Sequence, residues 1–233
     1  MKILVLGDIH GRLIWYDIIK HESPDITIFL GDYITSHEGI YSEQQLANLE
    51  DILNYKENNL DKVILLRGNH DIQHLGYSWA ECSGYDKKLY DFMSSSYNKN
   101  RFLDNTQWIY IDNKTIFSHA GISQVWMDNS KIESVHDINK LEPSELFGFT
   151  PDNYFDVYGT SKTQPPTWIR PQTLCTCNIK GWDQVVGHTP VKNIINIYES
   201  SKYNQNIWLC DNLYEKQYLT IDNGEFIINN LNL

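Results

Sequence analysis

The sequence predicts an α/β fold with two sheets, and three observations carry that prediction. Short apolar runs alternate with helix-periodic stretches over residues 1–70, each run ends in glycine and polar residues, and beyond residue 105 shorter β-like runs follow one another. "KILVLG" at 2–7 is continuously apolar rather than alternating, the pattern of a strand buried on both faces. "RLIWYDIIKHE" at 12–22 places apolar residues at helical spacing, and "DITIFLGD" at 25–32 repeats the buried-strand pattern. "SEQQLANLEDILNYKENN" at 42–59 reads as a longer amphipathic helix, with Ser42 as N-cap and Gln45 three residues on. "DKVILLRGN" at 61–69 is a third strand. Strand, helix, strand, helix, strand implies right-handed crossovers and a largely parallel sheet. The polar exits "GDIHG", "GDY" and "RGNHD" then share one carboxyl edge, where open α/β sheets place ligands. From residue 106 onward, "TQWIYIDN", "TIFSHAG", "DQVVGHTP", "NIINIYE", "IWLCDN", "QYLTIDN" and "EFIINNL" are β-like runs separated by Asn, Asp and Gly, which predicts a second, mixed or antiparallel sheet.

With 233 residues the chain is long enough for one substantial core, and it reads as a single domain over 1–233 with irregular rim segments around 72–105 and 129–180. The second rim carries Pro143, Pro151, Pro165, Pro166 and Pro171 with little periodicity, the character of a functional surface excursion. A net charge of -11 with no Lys/Arg run argues against nucleic acid as the main ligand. No apolar run approaches the ~20 residues that span a bilayer, and the first is too short for a signal segment, so a cytoplasmic protein is expected. Cys82, Cys175, Cys177 and Cys210 form no disulfide framework of the small-domain kind. "CTC" at 175–177 is half a zinc pattern without a second half and reads as ordinary thiols.

The chemistry collects at strand ends. Asp8, His10, Asp32, Asn69, His70, His119 and His188 each follow or interrupt an apolar run, and each lies close to a glycine. Carboxylates and imidazoles sharing one edge repel or desolvate one another unless a cation sits among them. Mixed oxygen and nitrogen donors suit borderline divalent ions rather than calcium, and the donors are too many for one ion with open positions, which points to two ions sharing a carboxylate. A lone strand-end histidine is ordinarily a structural hydrogen-bonding residue, and His21, His37, His74 and His136 are read that way.

In "GDIHG" at 7–11, "GDY" at 31–33, "GNHD" at 68–71, "SHAG" at 118–121 and "GHTP" at 187–190, the sequence resembles the calcineurin-like metallophosphoesterases, within them the phosphoprotein-phosphatase (serine/threonine) branch. Each block alone is weak; the ordered set of five is specific. The resemblance implies an αββα sandwich, two mixed sheets flanked by helices. It implies that Asp8 and His10 hold one metal, that Asp32 bridges to a second, and that Asn69, His119 and His188 complete the second. It further implies two divalent transition ions, manganese first, with Fe, Zn, Co or Ni as alternatives, a bridging hydroxide attacking phosphorus in line, and His70 protonating or stabilising the leaving oxygen. The branch assignment follows from Pro190, which stands where many other members carry a further histidine.

Two departures qualify the resemblance. The branch usually reads Gly-Asp, two residues, then Asp-Arg-Gly; this chain has Thr35 and Ser36 in place of that Asp and Arg. The Asp normally orients the acid histidine and the Arg grips phosphate. Arg170 in "TWIRP" resembles a second phosphate-gripping arginine of the family, and Arg67 is a further candidate, although an arginine at a strand end more often makes a structural ion pair. The expected function is therefore hydrolysis of phosphomonoesters, as in phosphoprotein Ser/Thr phosphatases, with phosphopeptides, nucleotides or other small phosphoesters as substrates. Within the class, the alternatives are a phosphodiesterase or a dinucleoside polyphosphate hydrolase; outside it, a non-catalytic metal- or phosphate-binding module.

Overall fold

The computed structural model describes residues 1–149, 156 and 158–231. Its elements, in chain order, are β1 (Lys2–Leu6), α1 (Ile14–Glu22), β2 (Ile26–Phe29), α2 (Ser42–Asn58), β3 (Val63–Leu65), α3 (Asn69–Gln73), α4 (Lys87–Met93), α5 (Ser96–Asn105), β4 (Ile109–Asp112), β5 (Thr115–Ser118), α6 (Gln124–Asn129), α7 (Pro171–Cys177), β6 (Asp183–Val186), β7 (Ile195–Asn196), β8 (Ile207–Leu209), β9 (Gln217–Asp222) and β10 (Glu225–Asn230). They form two mixed five-stranded sheets, ordered β10-β9-β1-β2-β3 and β4-β5-β6-β8-β7. In the first, β1, β2 and β3 are parallel, with Val5 opposite Ile28 and Ile28 opposite Ile64; in the second, β5, β6 and β8 are parallel.

The period of two in a strand explains why β1 is apolar throughout. Ile3 and Val5 join a buried cluster that also holds Phe117 of β5 and Val185 of β6, so this face lies between the sheets. Leu4 and Leu6 face the other way, into a cluster with Trp15 and Ile18 of α1 and Leu49, Ile52 and Leu53 of α2. Across the second sheet, Val186, Ile207 and Leu209 pack with Ile169 and Leu174, which brings α7 onto its outer side. The layers are helix, sheet, sheet, helix.

Four expectations are revised. "QYLTIDN" and "EFIINNL" do not extend the second sheet: β9 pairs antiparallel with the free side of β1, Leu219 opposite Val5, and β10 follows by a hairpin. A long-range pairing of this kind leaves no local trace in the sequence. The cap of α2 is Tyr41, whose N–H donates to Gln44 Oε1 at 3.3 Å, while Ser42 Oγ donates to Asp86 instead. Within 72–105, residues 87–105 are the helices α4 and α5, and Leu89, Met93 and Phe102 are buried in the main core. Within 129–180, Phe147, Phe149, Trp168 and Ile169 are likewise buried, so much of this excursion is anchored; Pro151 lies outside the described residues. Among the described residues, no helix is long and apolar enough to cross a membrane.

Candidate metal centre

The carboxyl ends of β1, β2, β3, β5, β6 and β8 converge on a cleft of about 200 Å³. Its lining includes Asp8, His10, Asp32, Asn69, His70, Arg170, His188 and Asp211. Several of these residues sit on backbone that side chains seldom adopt: φ is 46° at His10, 50° at Asp32 and 61° at His188. Left-handed backbone at non-glycine positions costs free energy and persists where the surroundings over-determine it, typically at functional sites. Two neighbouring glycines have a different reason, close approach. A Cβ on Gly68 would lie 2.1 Å from Asp32 Oδ1, and one on Gly187 would lie 2.2 Å from Asp8 Oδ1.

Asp32 is shared by two groups whose candidate ligand atoms lie within 4.8 Å of one another, Asp8 with His10 and Asp32, and Asp32 with His119 and His188. Asn69 Oδ1 lies 3.0 Å from His119 Nε2. Backbone donors hold the carboxylates in place: His188 N–H reaches both oxygens of Asp8 at 3.0 and 3.1 Å, and His70 N–H reaches Asp32 Oδ1 at 2.9 Å. Asp71 accepts from the N–H groups of Asp32, Tyr33 and Gly68 at 2.8, 2.8 and 3.0 Å, tying the ends of β2 and β3 together.

The histidine orientations suit a cation. His119 Nδ1 lies 2.8 Å from the carbonyl of Leu30 and His10 Nδ1 lies 3.0 Å from that of Ile34. Each therefore donates from Nδ1 and presents Nε2 as a lone pair. His188 is reversed, with Nε2 at 3.2 Å from Trp168 O, so its free lone pair is on Nδ1. His119 Nε2 faces Asn69 Oδ1 and, at 3.4 Å, Asp32 Oδ2. Three sets of lone pairs pointing together require a proton or a cation between them, and the outer N–H anchored on a backbone carbonyl is the usual arrangement of a metal-binding imidazole. With a proton as the only cation, burial, which would lower His119, is outweighed by the charges of Asp32 and Asp8, which lift it to about 10. Asp32 is held well below the usual carboxylate range, because His119 and His70 outweigh its burial. Asp8 is pushed well up by burial and by Asp211. Burial lowers His10 and His188, which favours the neutral ring of each.

The residues present thus fit two cations sharing Asp32, and a model of the calcineurin-like phosphoesterase family matches residues 1–221. The chain belongs to this family. Over 151 residues it is 32% identical to the serine/threonine-protein phosphatase 2B catalytic subunit A1 of Saccharomyces cerevisiae and 31% identical to subunit A2, covering 60% of this chain but only 24% and 22% of those proteins. The chain therefore spans about a quarter of the length of these relatives. Among solved structures, the cold-active protein-tyrosine phosphatase of a psychrophilic Shewanella superposes over 97% of this chain and 77% of its own with a TM-score of 0.66 at 18% identity. A protein serine/threonine phosphatase of Saccharomyces cerevisiae superposes with a TM-score of 0.59 at 13% identity, covering 98% of this chain and 79% of its own. At these identities the likeness is one of fold.

Of the two arginines singled out in the sequence, the structure brings only Arg170 to the cleft. Its Nη1 donates to His188 O at 3.0 Å and Thr189 Oγ1 at 3.1 Å, and its guanidinium lies 5.8 Å from the Trp168 ring. Arg67 is not among the residues lining the cleft. Its Nε and Nη2 donate to Thr106 Oγ1, Thr106 O and Leu103 O at 2.7–3.0 Å, and it stacks 4.7 Å from the Trp108 ring. It closes the C-terminal end of α5, which the sequence could not bring next to β3.

Two residues of the cleft and one behind it were not expected from the sequence. Asp211 follows β8 as Asp8 follows β1, and burial together with Asp32 pushes it up to about 6. The run "IWLCDN" carried the same strand-then-carboxylate signal without a glycine to mark it. His37, expected to be structural, is exposed at the cleft, its ring 5.5 Å from that of His10 and 5.8 Å from that of His70. Gln73 lies behind His70, with Nε2 at 3.3 Å from His70 Nδ1.

Proposed function

We propose that this chain is a metal-dependent phosphoesterase acting on phosphomonoesters. The observation that carries the reading is Asp32 shared between two ligand groups, with His70 and Arg170 lining the same small cleft. Asp8, His10 and Asp32 would hold one divalent transition ion, and Asp32, Asn69, His119 and His188 the other; together they would supply Lewis-acid polarisation of the phosphoryl group and activation of water. Manganese is the first candidate.

The chain's own residues then divide the work. Arg170 is anchored through Nη1, and among the described residues its Nε and Nη2 have no hydrogen-bond partner. That leaves donors for the phosphoryl oxygens, where a planar fork is better than a point charge. His70 stands at the cleft, buried, with its backbone bonded to Asp32, and serves the leaving oxygen. Asp211 adds negative charge beside Asp8 and suits a site that gathers cations. A phosphoprotein is the substrate form favoured by the relatives' names.

The test is hydrolysis by manganese-loaded protein of phosphoserine, phosphothreonine and phosphotyrosine peptides against nucleoside monophosphates, a bis-aryl phosphodiester and a dinucleoside polyphosphate. Faster turnover of the monoester peptides supports the reading; preference for the diester or the polyphosphate replaces it, and turnover of none leaves a binding module.

A further inference from the structure

We infer that Gln73 is a positioning residue that fixes His70 in the tautomer carrying its proton on Nε2. The inference rests on the phosphoesterase reading for its meaning, though its geometry stands alone. Gln73 is the last residue of α3, three positions after His70, so the two side chains share one helix face. Its amide cannot be turned round. Oε1 meets the N–H of Cys82 at 3.3 Å, a group that only donates, and Nε2 meets the carbonyl of Ser83 at 3.0 Å, a group that only accepts. Exchanging the two would set donor against donor and acceptor against acceptor.

With one hydrogen of the NH2 group directed to Ser83, the other is available to His70 Nδ1 at 3.3 Å. Nδ1 therefore accepts, and a neutral imidazole that accepts at Nδ1 carries its proton on Nε2. Nδ1 also lies 3.9 Å from the thiol sulfur of Cys82, itself a weak donor. His70 is thus opposite to His10 and His119, whose Nδ1 atoms donate to carbonyls. They offer lone pairs at Nε2; His70 offers a hydrogen. Thr35, at the place where the resembled branch has an orienting Asp, does not take that role: its Oγ1 is buried without a hydrogen-bond partner among the described residues. A carboxylate would accept from Nδ1–H and impose the other tautomer; the Gln73 amide imposes this one. His70 then acts as a fixed hydrogen-bond donor toward an oxygen in the cleft.

The tautomer is read directly by two-bond proton–nitrogen correlation spectra of zinc-loaded, nitrogen-15 histidine-labelled protein, with His70 assigned by the signal lost in His70→Asn. Expected are an Nε2–H pattern for His70 in the wild type, a mixed pattern in Gln73→Leu and an Nδ1–H or doubly protonated ring in Gln73→Glu. Gln73→Leu should also lose about ten-fold in kcat/KM on an alkyl phosphate at unchanged zinc content, the scale of one hydrogen bond. An Nδ1–H or doubly protonated His70 in the wild type, which needs no variant to fold, overturns the inference; so does an undisturbed Nε2–H pattern in Gln73→Leu. Because the spectra do not depend on turnover, an inactive protein with His70 in the Nε2–H form would overturn the phosphoesterase reading while supporting the role of Gln73.

Discussion

The histidines on the two sides of the cleft are one residue type put to opposite uses by their outer neighbours. On the sheet side, His10, His119 and His188 each place a ring nitrogen on a backbone carbonyl and turn the other, as a lone pair, inward. On the α3 side, His70 has a side-chain amide where the others have a carbonyl. Backbone carbonyls, here those of Leu30, Ile34 and Trp168, cannot change their chemistry by mutation, whereas Gln73 can. The lone-pair side is written into the backbone, and the donor side into a single replaceable residue.

The comparison breaks most severely at Asp32, which serves both ligand groups. Asp32→Asn should cost at least about a hundredfold in kcat/KM with the fold retained, because an amide is a poorer partner for two cations than a carboxylate. Steady-state kinetics beside a circular dichroism spectrum checks this. His70→Asn comes next, at about 10²–10³-fold in kcat, the range for losing one preorganised donor at developing charge. If His70 is a fixed donor, the loss should be similar for alkyl and aryl monoesters; a loss confined to alkyl leaving groups would make it a proton donor instead.

Arg170→Ala should reduce kcat/KM by about ten- to a thousand-fold while metal content stays as in the wild type, and lysine should rescue it only partly. Unchanged kinetics would make its bonds to His188 and Thr189 purely structural. Arg67→Ala should do the reverse, leaving kinetics alone and lowering stability by about 2 kcal/mol, since Leu103 and Thr106 lose a buried donor and Trp108 its stacking partner. Denaturant titration of the two arginine variants side by side separates the roles.

The smallest effect is one of pH. His119 is raised from 6.5 to about 10 with a proton as its only cation, so its contribution to stability is complete below about pH 6.5 and disappears as pH rises through 10. Asp8, also raised, acts in the same direction over the range in which it titrates. Chelator-treated protein should therefore melt at a lower temperature at pH 9 than at pH 7, and the manganese-loaded protein should show a weaker dependence, because the cation takes the proton's place. Equal slopes in the two forms would remove His119 from the metal site.

What could be read from the sequence was what local pattern controls. The doubly buried strands announced themselves as unbroken apolar runs, and the strand-end carboxylates and imidazoles stood out because glycines beside them marked close approach, as Gly68 and Gly187 show. What could not be read depends on contacts distant in the chain. The return of β9 to β1, the capture of Arg67 by the end of α5 and the place of Asp211 beside Asp8 all join segments 30 or more residues apart, with no periodicity to announce them. Gln73 was hidden for another reason: its meaning comes from two backbone groups, at Cys82 and Ser83, that fix which end of its amide faces His70.

Elemental analysis of protein saturated with manganese and then desalted tests the shared carboxylate most directly. About two ions per chain are predicted for the wild type, about one for His188→Ala, and fewer than one for Asp32→Asn, because only Asp32 belongs to both groups. A wild-type protein that folds and retains fewer than one ion per chain, or an Asp32→Asn variant that retains as many ions as the wild type, would contradict the account.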